Sequence, residues 1–442
     1  MSSNKSDISP RETIAKARLL WMSATDEADL KQVECLYRQA LRINTAAKKK
    51  RKSSEGGCNK NQEENDDDDN RSSVVDRDDD VDDLERVQGK KEKRSKRKSD
   101  KISKKDNSSC LKRSECKKAF ERLALLLCQS GRSKKAKVIL ARLGYQCRLS
   151  TVVLDYPLPS LSDIGNDTTM KDKASEIPCC ILDGFMQRSE IQQLRKVFES
   201  PLASYWINHD YAIEPPSPYF SYILPLQEAS NLGFIGGLIR KIFHCKILRK
   251  KFPKLKNATK VEMWAHNRPH PSGHQMHFDS DDEGRDGIRN PIISTILYVT
   301  AGCGGPSLVT NQKLIDNHLA TKGWMCHPQN ERLVAFDGRY LHGVIPGKAV
   351  QPGRRVTLMF AFWADIRTRK DNGPGSARLF PYNDDSCEWA KFLTDQVSCQ
   401  NKANEYIEVD PLPIDRIYET LDGKRWSKSM GMPEYDVVFQ GF

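Results

Sequence analysis

Apolar residues recur at three- and four-residue steps in several parts of the N-terminal third of the chain. The pattern covers 14–24 and 30–43, and it returns within 120–127 and 136–143 after a long polar stretch. Such spacing places the apolar side chains on one face of a helix. The sequence therefore predicts two helical hairpins, the second of which turns at Gly131.

The pattern changes from about residue 177. An amphipathic helix is expected over 189–199, with Ser189 as its cap, and a second helix over 232–251. Short apolar runs bounded by Gly and Pro predict strands at 181–185, 260–265, 292–300, 307–310, 332–337 and 356–363. This order predicts an α+β domain over 177–368, built around a jelly-roll barrel or double-stranded β-helix. Residues 369–442, with a helix near Trp389, are expected to pack on the barrel as a C-terminal extension.

The segment 46–114 has a composition that does not favour folding. Within 48–109 there are 19 Lys and Arg residues against 17 Asp and Glu residues, with few apolar side chains. A segment of this kind cannot bury enough apolar surface to fold and is predicted to be a disordered insert. A basic cluster in this segment resembles a nuclear localisation signal. The alternative, a solvated basic run without such a role, is equally open. The cluster consists of Lys48, Lys49, Lys50, Arg51 and Lys52.

Charge and cysteine content narrow the possible classes of protein. The 442 residues carry a formal net charge of +12, and the excess lies in 115–150 and 240–260 rather than in the insert. No signal-peptide core is found near the start, and the long uncharged stretch 290–312 is broken by Gly and Pro. Thirteen cysteines form no CxxC pair. We therefore expect an intracellular protein of the nucleus or cytoplasm with no membrane span, and basic surfaces that permit nucleic-acid contact.

Three residues form a candidate metal site. His277 and Asp279 are two residues apart, so on a strand they would share one face, and His342 follows 63 residues later. Two imidazoles and one carboxylate can occupy one face of an octahedral ion and leave three positions open. This ligand set suits non-haem Fe(II).

A candidate carboxylate site follows the second histidine. Arg355 and Thr357 lie two residues apart at the start of an apolar strand, so both could bind one carboxylate from one face. The preceding loop is long enough to leave Arg354 open as an alternative anchor. The Arg-x-Thr spacing favours Arg355.

With these motifs in order, 181–363 resembles the 2-oxoglutarate- and Fe(II)-dependent oxygenases of the prolyl-4-hydroxylase-like branch. The resemblance implies that His277, Asp279 and His342 bind iron, and that Arg355 with Thr357 binds the distal carboxylate of 2-oxoglutarate. Tyr298, on a strand before Gly304-Gly305, would donate to the same carboxylate. The helical region 10–150, interrupted by the insert, resembles tetratricopeptide repeats; a generic antiparallel bundle stays open.

The resemblance implies an oxidoreductase that uses Fe(II), 2-oxoglutarate and O₂, with ascorbate as a candidate reductant. A protein or peptide side chain is the favoured substrate, hydroxylated with succinate and CO₂ as co-products. A nucleic-acid substrate is one alternative, and a helical-repeat adaptor with an inactive oxygenase-like domain is another. Three further histidines precede the metal motif and are interpreted as residues of a surface loop, with a substrate entrance as the alternative: His266, His270 and His274.

Overall fold

A computed structural model describes most of the chain as two compact units, 1–146 and 147–442. The described residues are 9–24, 26–55, 111–157, 177–211, 219–281, 287–349, 351, 353–369, 376–381, 387–395 and 406–442. The greater part of the predicted insert lies outside them. No helix in these ranges combines the length and the apolarity needed to cross a membrane.

The first unit contains two pairs of helices in its described ranges: α1 (Pro10–Ser23), α2 (Glu27–Glu55), α3 (Arg113–Gln129) and α4 (Ser133–Arg142). Helix α1 starts at a capping box in which Ser9 and Glu12 bond each other's backbone. Between α3 and α4 the chain turns at Gly131, whose φ of 73° suits glycine. Apolar side chains of α2 that are fully buried, such as Val33 and Tyr37, form its inner face. The assignment to tetratricopeptide repeats stays a prediction.

Helix α2 continues into the predicted insert. It runs to Glu55, about ten residues past the point at which disorder was expected. Ala and Lys are strong helix formers, and 46–52 contains little else, so the helix can continue there without an apolar face. The prediction of disorder was therefore wrong for the first residues of the insert.

The second unit combines helices with three sheets. Its helices are α5 (Thr151–Leu154), α6 (Arg188–Phe198), α7 (Ser204–Ile207), α8 (Gly233–Phe243), α9 (Lys246–Lys251) and α10 (Glu388–Thr394). Its strands are β1 (Cys147–Leu149), β2 (Cys179–Asp183), β3 (Tyr222–Pro225), β4 (Lys260–Pro269), β5 (His274–His277), β6 (Ile293–Tyr298), β7 (Ser307–Lys313), β8 (Gly323–Cys326), β9 (Leu333–Phe336), β10 (Tyr340–Val344), β11 (Arg354–Trp363), β12 (Arg378–Leu379), β13 (Ile407–Val409), β14 (Leu412–Ile414), β15 (Tyr418–Thr420) and β16 (Val438–Phe439).

The strands form a large sheet of order β12-β3-β4-β11-β6-β9-β2-β13, a smaller one of order β14-β8-β7-β10-β5, and a third of order β15-β1-β16. Pairing is antiparallel except at β12–β3 and β1–β16. Strand β11 is the centre of the large sheet and pairs along its full length with β4. The C-terminal strands β12–β16 extend all three sheets, so this segment is woven into the unit.

Residues of β11 alternate between two cores. Val356, Leu358 and Phe360 face the helices that cover one side of the large sheet, whereas Met359 and Trp363 face the smaller sheet. This alternation follows from the two-residue period of a strand. The result is a mixed α and β unit in which two sheets pack face to face; the double-stranded β-helix topology stays a prediction.

Two predicted helices differ from the observed ones. The helix expected over 232–251 is divided into α8 and α9, and Arg249 Nε donates to the Phe243 carbonyl that a continuous helix would use, at 2.8 Å. Helix α6 is capped by Gln187 in a capping box with Glu190, so Ser189 lies inside the helix. Both differences arise from side chains that satisfy helix termini and are not typical caps.

Candidate metal centre

Adjacent strands of the smaller sheet bring the two candidate histidines together. His277 is the last residue of β5, and it lies directly opposite His342 on β10. Gly343 permits this pairing, because a Cβ there would lie 2.8 Å from the His274 carbonyl and the Met276 sulfur. Asp279 lies two residues past the end of β5, beyond the strand on which it was expected, and still on the side of the histidines.

The three side chains converge on one point. Asp279 Oδ1 lies 3.6 Å from His277 Nε2 and 3.5 Å from His342 Nε2. The two imidazole centroids are 4.4 Å apart, and the three candidate ligand atoms all lie within 4.8 Å of one another. This separation leaves room for one metal ion between them, because Fe(II)- or Zn²⁺-type bonds to nitrogen and oxygen are about 2.0–2.2 Å long.

Outer hydrogen bonds orient all three candidate ligands. His277 Nδ1 lies 2.7 Å from the Gln275 carbonyl, and His342 Nδ1 lies 3.0 Å from the Tyr340 carbonyl. In each ring the Nδ1–H therefore donates to the backbone, which turns Nε2 toward Asp279. Ser294 Oγ donates to Asp279 Oδ2 at 2.6 Å, which leaves Oδ1 facing the histidines.

The electrostatics of the cluster match a cation site. Burial by itself would raise the pKa of Asp279, but the neighbouring His342 and His277 outweigh it and hold that pKa well below its usual range. Burial lowers the pKa of His277, but the hydrogen bond and charge of Asp279 together with the bond to the Gln275 carbonyl raise it, and the net shift is upward. The carboxylate is thus ionised and can bind a metal in place of protons.

A cavity of about 320 Å³ opens beside the three residues. Its wall combines apolar side chains such as Phe336 and Met359 with a few polar groups, among them Arg355 and Ser307. Arg355 is almost fully buried, and its Nη2 donates to Ser307 Oγ at 3.0 Å. Small-molecule sites have this character: concave, largely apolar, with a few converging polar groups.

The other predicted carboxylate-binding residues surround Arg355. Thr357 is fully buried on the same face of β11. Tyr298 lies with its ring 5.2 Å from the Arg355 guanidinium, and its hydroxyl is 3.1 Å from Ser307 Oγ and 3.3 Å from the Cys326 carbonyl. The phenol therefore reaches Arg355 through Ser307.

Arg354 points to the other face of β11. Its guanidinium bonds the side chain and, at 2.8 Å, the carbonyl of Asn267. Arg355 lines the cavity and Arg354 does not. The Gly304 turn explains the close fit around Arg355, because its φ is 83° and a Cβ there would lie 2.3 Å from the Arg355 side chain.

The surface-loop interpretation of the three extra histidines was wrong. Strand β4 continues to Pro269, so His266 faces the cavity, as does His274 at the start of β5. His270 is buried and accepts from the Gly304 backbone N–H at 2.9 Å. Glu262, Trp264 and His266 recur at every second position, and this period continues the strand past its predicted end. It was the sequence signal that could have placed His266 on the strand.

Comparisons with known proteins give distant similarity to solved structures only. No protein-family model matches, and no curated protein matches. The chain is similar to a Pseudomonas putida prolyl-4-hydroxylase, with 17% identity, a TM-score of 0.27, and coverage of 43% of this chain and 94% of that one. It is also similar to the alpha-ketoglutarate-dependent carbocyclase SnoK of nogalamycin biosynthesis, with 10% identity and a TM-score of 0.30. That match covers 47% of this chain and 93% of the SnoK chain.

Iron-bound HygX from Streptomyces hygroscopicus is a third similar structure, at 8% identity and a TM-score of 0.25, with 45% of this chain and 91% of that chain covered. The similar structures are thus a prolyl hydroxylase, an alpha-ketoglutarate-dependent carbocyclase and an iron-bound protein. Because all of these TM-scores lie below 0.5, they do not establish a common fold.

Proposed function

We propose that this protein is an Fe(II)- and 2-oxoglutarate-dependent oxygenase that hydroxylates a protein side chain. The observation that carries the proposal is the convergence of His277, Asp279 and His342 at the wall of a cavity that also contains a buried arginine. Two neutral imidazoles and one carboxylate suit Fe(II) and leave coordination positions open on the cavity side. The proposed metal ligands are these three residues.

The polar atoms around Arg355 fit the distal carboxylate of 2-oxoglutarate. Arg355 Nε and Thr357 Oγ1 are both buried and have no hydrogen-bond partner among the described residues. A buried donor without a partner costs about 1–3 kcal/mol, so a ligand that accepts from both would remove a penalty. We assign Arg355 and Thr357 to this carboxylate and Tyr298, through Ser307, to the same site.

The chemistry divides between the bound groups and the chain. Iron, 2-oxoglutarate and O₂ supply the oxidising chemistry when bound, with succinate and CO₂ as co-products and ascorbate as a candidate reductant. The chain's own residues orient the ligands through the Gln275 and Tyr340 carbonyls and through Ser294, hold the co-substrate carboxylate, and exclude water from the cavity.

The size of the cavity supports a side chain as substrate. At about 320 Å³ it lies at the lower end of small-molecule sites, so it can take 2-oxoglutarate and one small substituent. Apolar and aromatic groups at its wall, such as Trp264 and Tyr219, suit a largely apolar side chain such as proline. A nucleic-acid substrate is tested beside it because of the basic segment 240–260.

The proposal is tested by succinate formation from 2-oxoglutarate with the full chain, Fe(II) and ascorbate, alone and with peptide or oligonucleotide libraries. H277A and H342A should abolish turnover and Mn(II) binding. R355Q should keep Mn(II) binding and lose 2-oxoglutarate binding by about tenfold or more. R354Q, on the opposite face of the strand, is the matched control and should keep both. Full turnover by H277A, or an iron-free protein with no turnover, would refute the proposal.

A further inference from the structure

A second arginine lies beside the proposed 2-oxoglutarate anchor. Arg268 on β4 is the direct register partner of Arg355 on β11. Residues paired across antiparallel strands point to the same face of a sheet. Arg268 is therefore on the face that carries Arg355, two residues along β4 from the cavity residue His266.

A continuous group of ring side chains connects Arg268 with the metal site. Its guanidinium carbon lies 4.9 Å from the Tyr211 ring centroid, and the Tyr211 hydroxyl lies 3.2 Å from His266 Nδ1. The ring of His266 is 5.1 Å from that of His274, which stacks on His277 at 4.6 Å. Side chains in contact thus connect Arg268 and Tyr211 with His266 and His274, which line the cavity, although Arg268 and Tyr211 do not line it themselves.

The charge of Arg268 lacks a counter-ion in the described part of the chain. Its Nη1 is buried and has no hydrogen-bond partner there, and none of the ion pairs found among these residues involves it. Burial lowers its pKa, and the hydrogen bond with the Tyr211 hydroxyl opposes that shift. Arg268 as a whole is half-buried, so the cost falls on its buried Nη1, which an anion could satisfy with a hydrogen bond.

Structural arginines of the same unit are satisfied differently. Arg332 forms a two-bond pair with Asp183 at 2.6 and 2.8 Å, and Arg148 pairs with Glu419 at 2.7 Å. Arg354 bonds Asn267. Arg268 instead lies over the Tyr211 ring and keeps Nη1 without a partner among the described residues, so this nitrogen is available to an anion.

We propose that Arg268, with Tyr211 and His266, forms a subsite for an oxyanion group of the primary substrate, distinct from the 2-oxoglutarate carboxylate at Arg355. The inference rests on the proposed oxygenase function for its role and names a protein substrate in which a residue next to the hydroxylated side chain carries a carboxylate or a phosphate ester. A guanidinium recognises both groups through paired N–H···O bonds.

The test is calorimetric titration of the full chain with two probes, acetate for a carboxylate and sulfate for a tetrahedral oxyanion. In the first arm the protein holds Mn(II) and saturating 2-oxoglutarate, so that Arg355 is occupied. One probe should bind, and R268Q should weaken its binding by about tenfold to a hundredfold. R268K, which keeps the charge and loses the planar fork, should be intermediate. R354Q should leave binding unchanged.

The second arm uses metal-free R355Q, in which the cavity-lining guanidinium of Arg355 is absent. Binding of the same probe should persist and should be lost in the R355Q/R268Q double variant. Failure of Mn(II) to bind would refute the oxygenase proposal while this arm still reports on Arg268. The subsite is refuted if neither probe binds the wild-type chain, or if R268Q and R268K bind as tightly as R354Q does. Circular dichroism verifies that each variant is folded.

Discussion

The hydroxyl of Ser294 orients the carboxylate of the candidate metal centre. It donates to Asp279 Oδ2 at 2.6 Å, from strand β6 of the large sheet. Outer hydrogen bonds of this kind typically account for a 10- to 100-fold effect on metal affinity. We expect S294A to weaken Mn(II) binding by about this factor while the fold persists. S230A, at an exposed position, serves as control, and S294T should restore part of the affinity. Mn(II) affinities for S294A and the wild type that agree within about twofold would contradict this role.

A second residue-scale effect concerns Glu262, inside the large sheet. Its oxygens accept from Ser221, Tyr219 and Trp363 at 2.6–3.2 Å. Burial nevertheless raises its pKa to about 7, from 4.5 in an unperturbed side chain. The folded chain then holds this proton more tightly than the unfolded chain, so the contribution to stability is full below pH ~4.5 and is lost as the pH rises through about 7.

The Glu262→Gln substitution isolates this contribution, because the amide stays neutral. Relative to E262Q, the wild-type free energy of unfolding should fall by about 3 kcal/mol between pH ~4.5 and ~7 and stay level above it. Urea titrations of metal-free protein at several pH values measure the difference. Parallel curves for the two proteins would show that Glu262 does not titrate in this range.

At the scale of single elements, β5 is the edge strand that carries His277. Its Met276 N–H donates to Gln440 Oε1 at 3.0 Å, and both residues are buried. Q440A would leave a buried donor without a partner, which costs about 1–3 kcal/mol. We expect a lower free energy of unfolding and faster hydrogen exchange at the Met276 amide. Q440E keeps an acceptor oxygen and should exchange slowly; equal exchange in Q440A and the wild type would contradict the prediction.

Predictability from sequence differed between elements for physical reasons. Strands such as β6 and β11 are apolar runs between Gly and Pro turns, so their pattern alone located them. Strand β5, His274–His277, has three polar residues in four and no alternation, and only its metal motif indicated a strand. At the break between α8 and α9 the Arg249 side chain bonds the Phe243 carbonyl, six residues back, and apolar periodicity does not indicate such a side-chain bond.

The same contrast applies to the site. Its candidate metal ligands were predictable because the chemistry restricts residue types and spacing, and the structure brings His277, Asp279 and His342 together. The positions of Arg268 and Ser294 relative to the site were not predictable. That of Arg268 depends on cross-strand register, and that of Ser294 depends on a single hydrogen bond. Long-range pairing of this kind has no local sequence signal.

At the scale of the whole molecule, the first strand of the second unit pairs with strands near the C-terminal end of the chain. Cys147–Leu149 was assigned to the helical domain by sequence, yet β1 lies between β15 and β16. The junction contains a buried ion pair, Arg148 Nη2 to Glu419 Oε1 at 2.7 Å, with 6% and 3% of the side chains exposed. Thr151 also donates to Glu419 Oε1, through its backbone at 3.2 Å and its hydroxyl at 2.9 Å.

Removal of one partner should therefore be more damaging than removal of both. E419Q leaves the Arg148 charge buried without its counter-ion, and we expect a loss of about 3–5 kcal/mol in the free energy of unfolding. R148M/E419L replaces the pair by apolar side chains and should lose less than E419Q or R148M alone, because no isolated charge stays buried. Urea unfolding of the full chain measures all three, and D422N, at an exposed pair with Lys424, should leave the midpoint unchanged. Losses that simply add in the double variant would mean that the pair does not hold β1 to the C-terminal strands, and that closure depends on the backbone ladder alone.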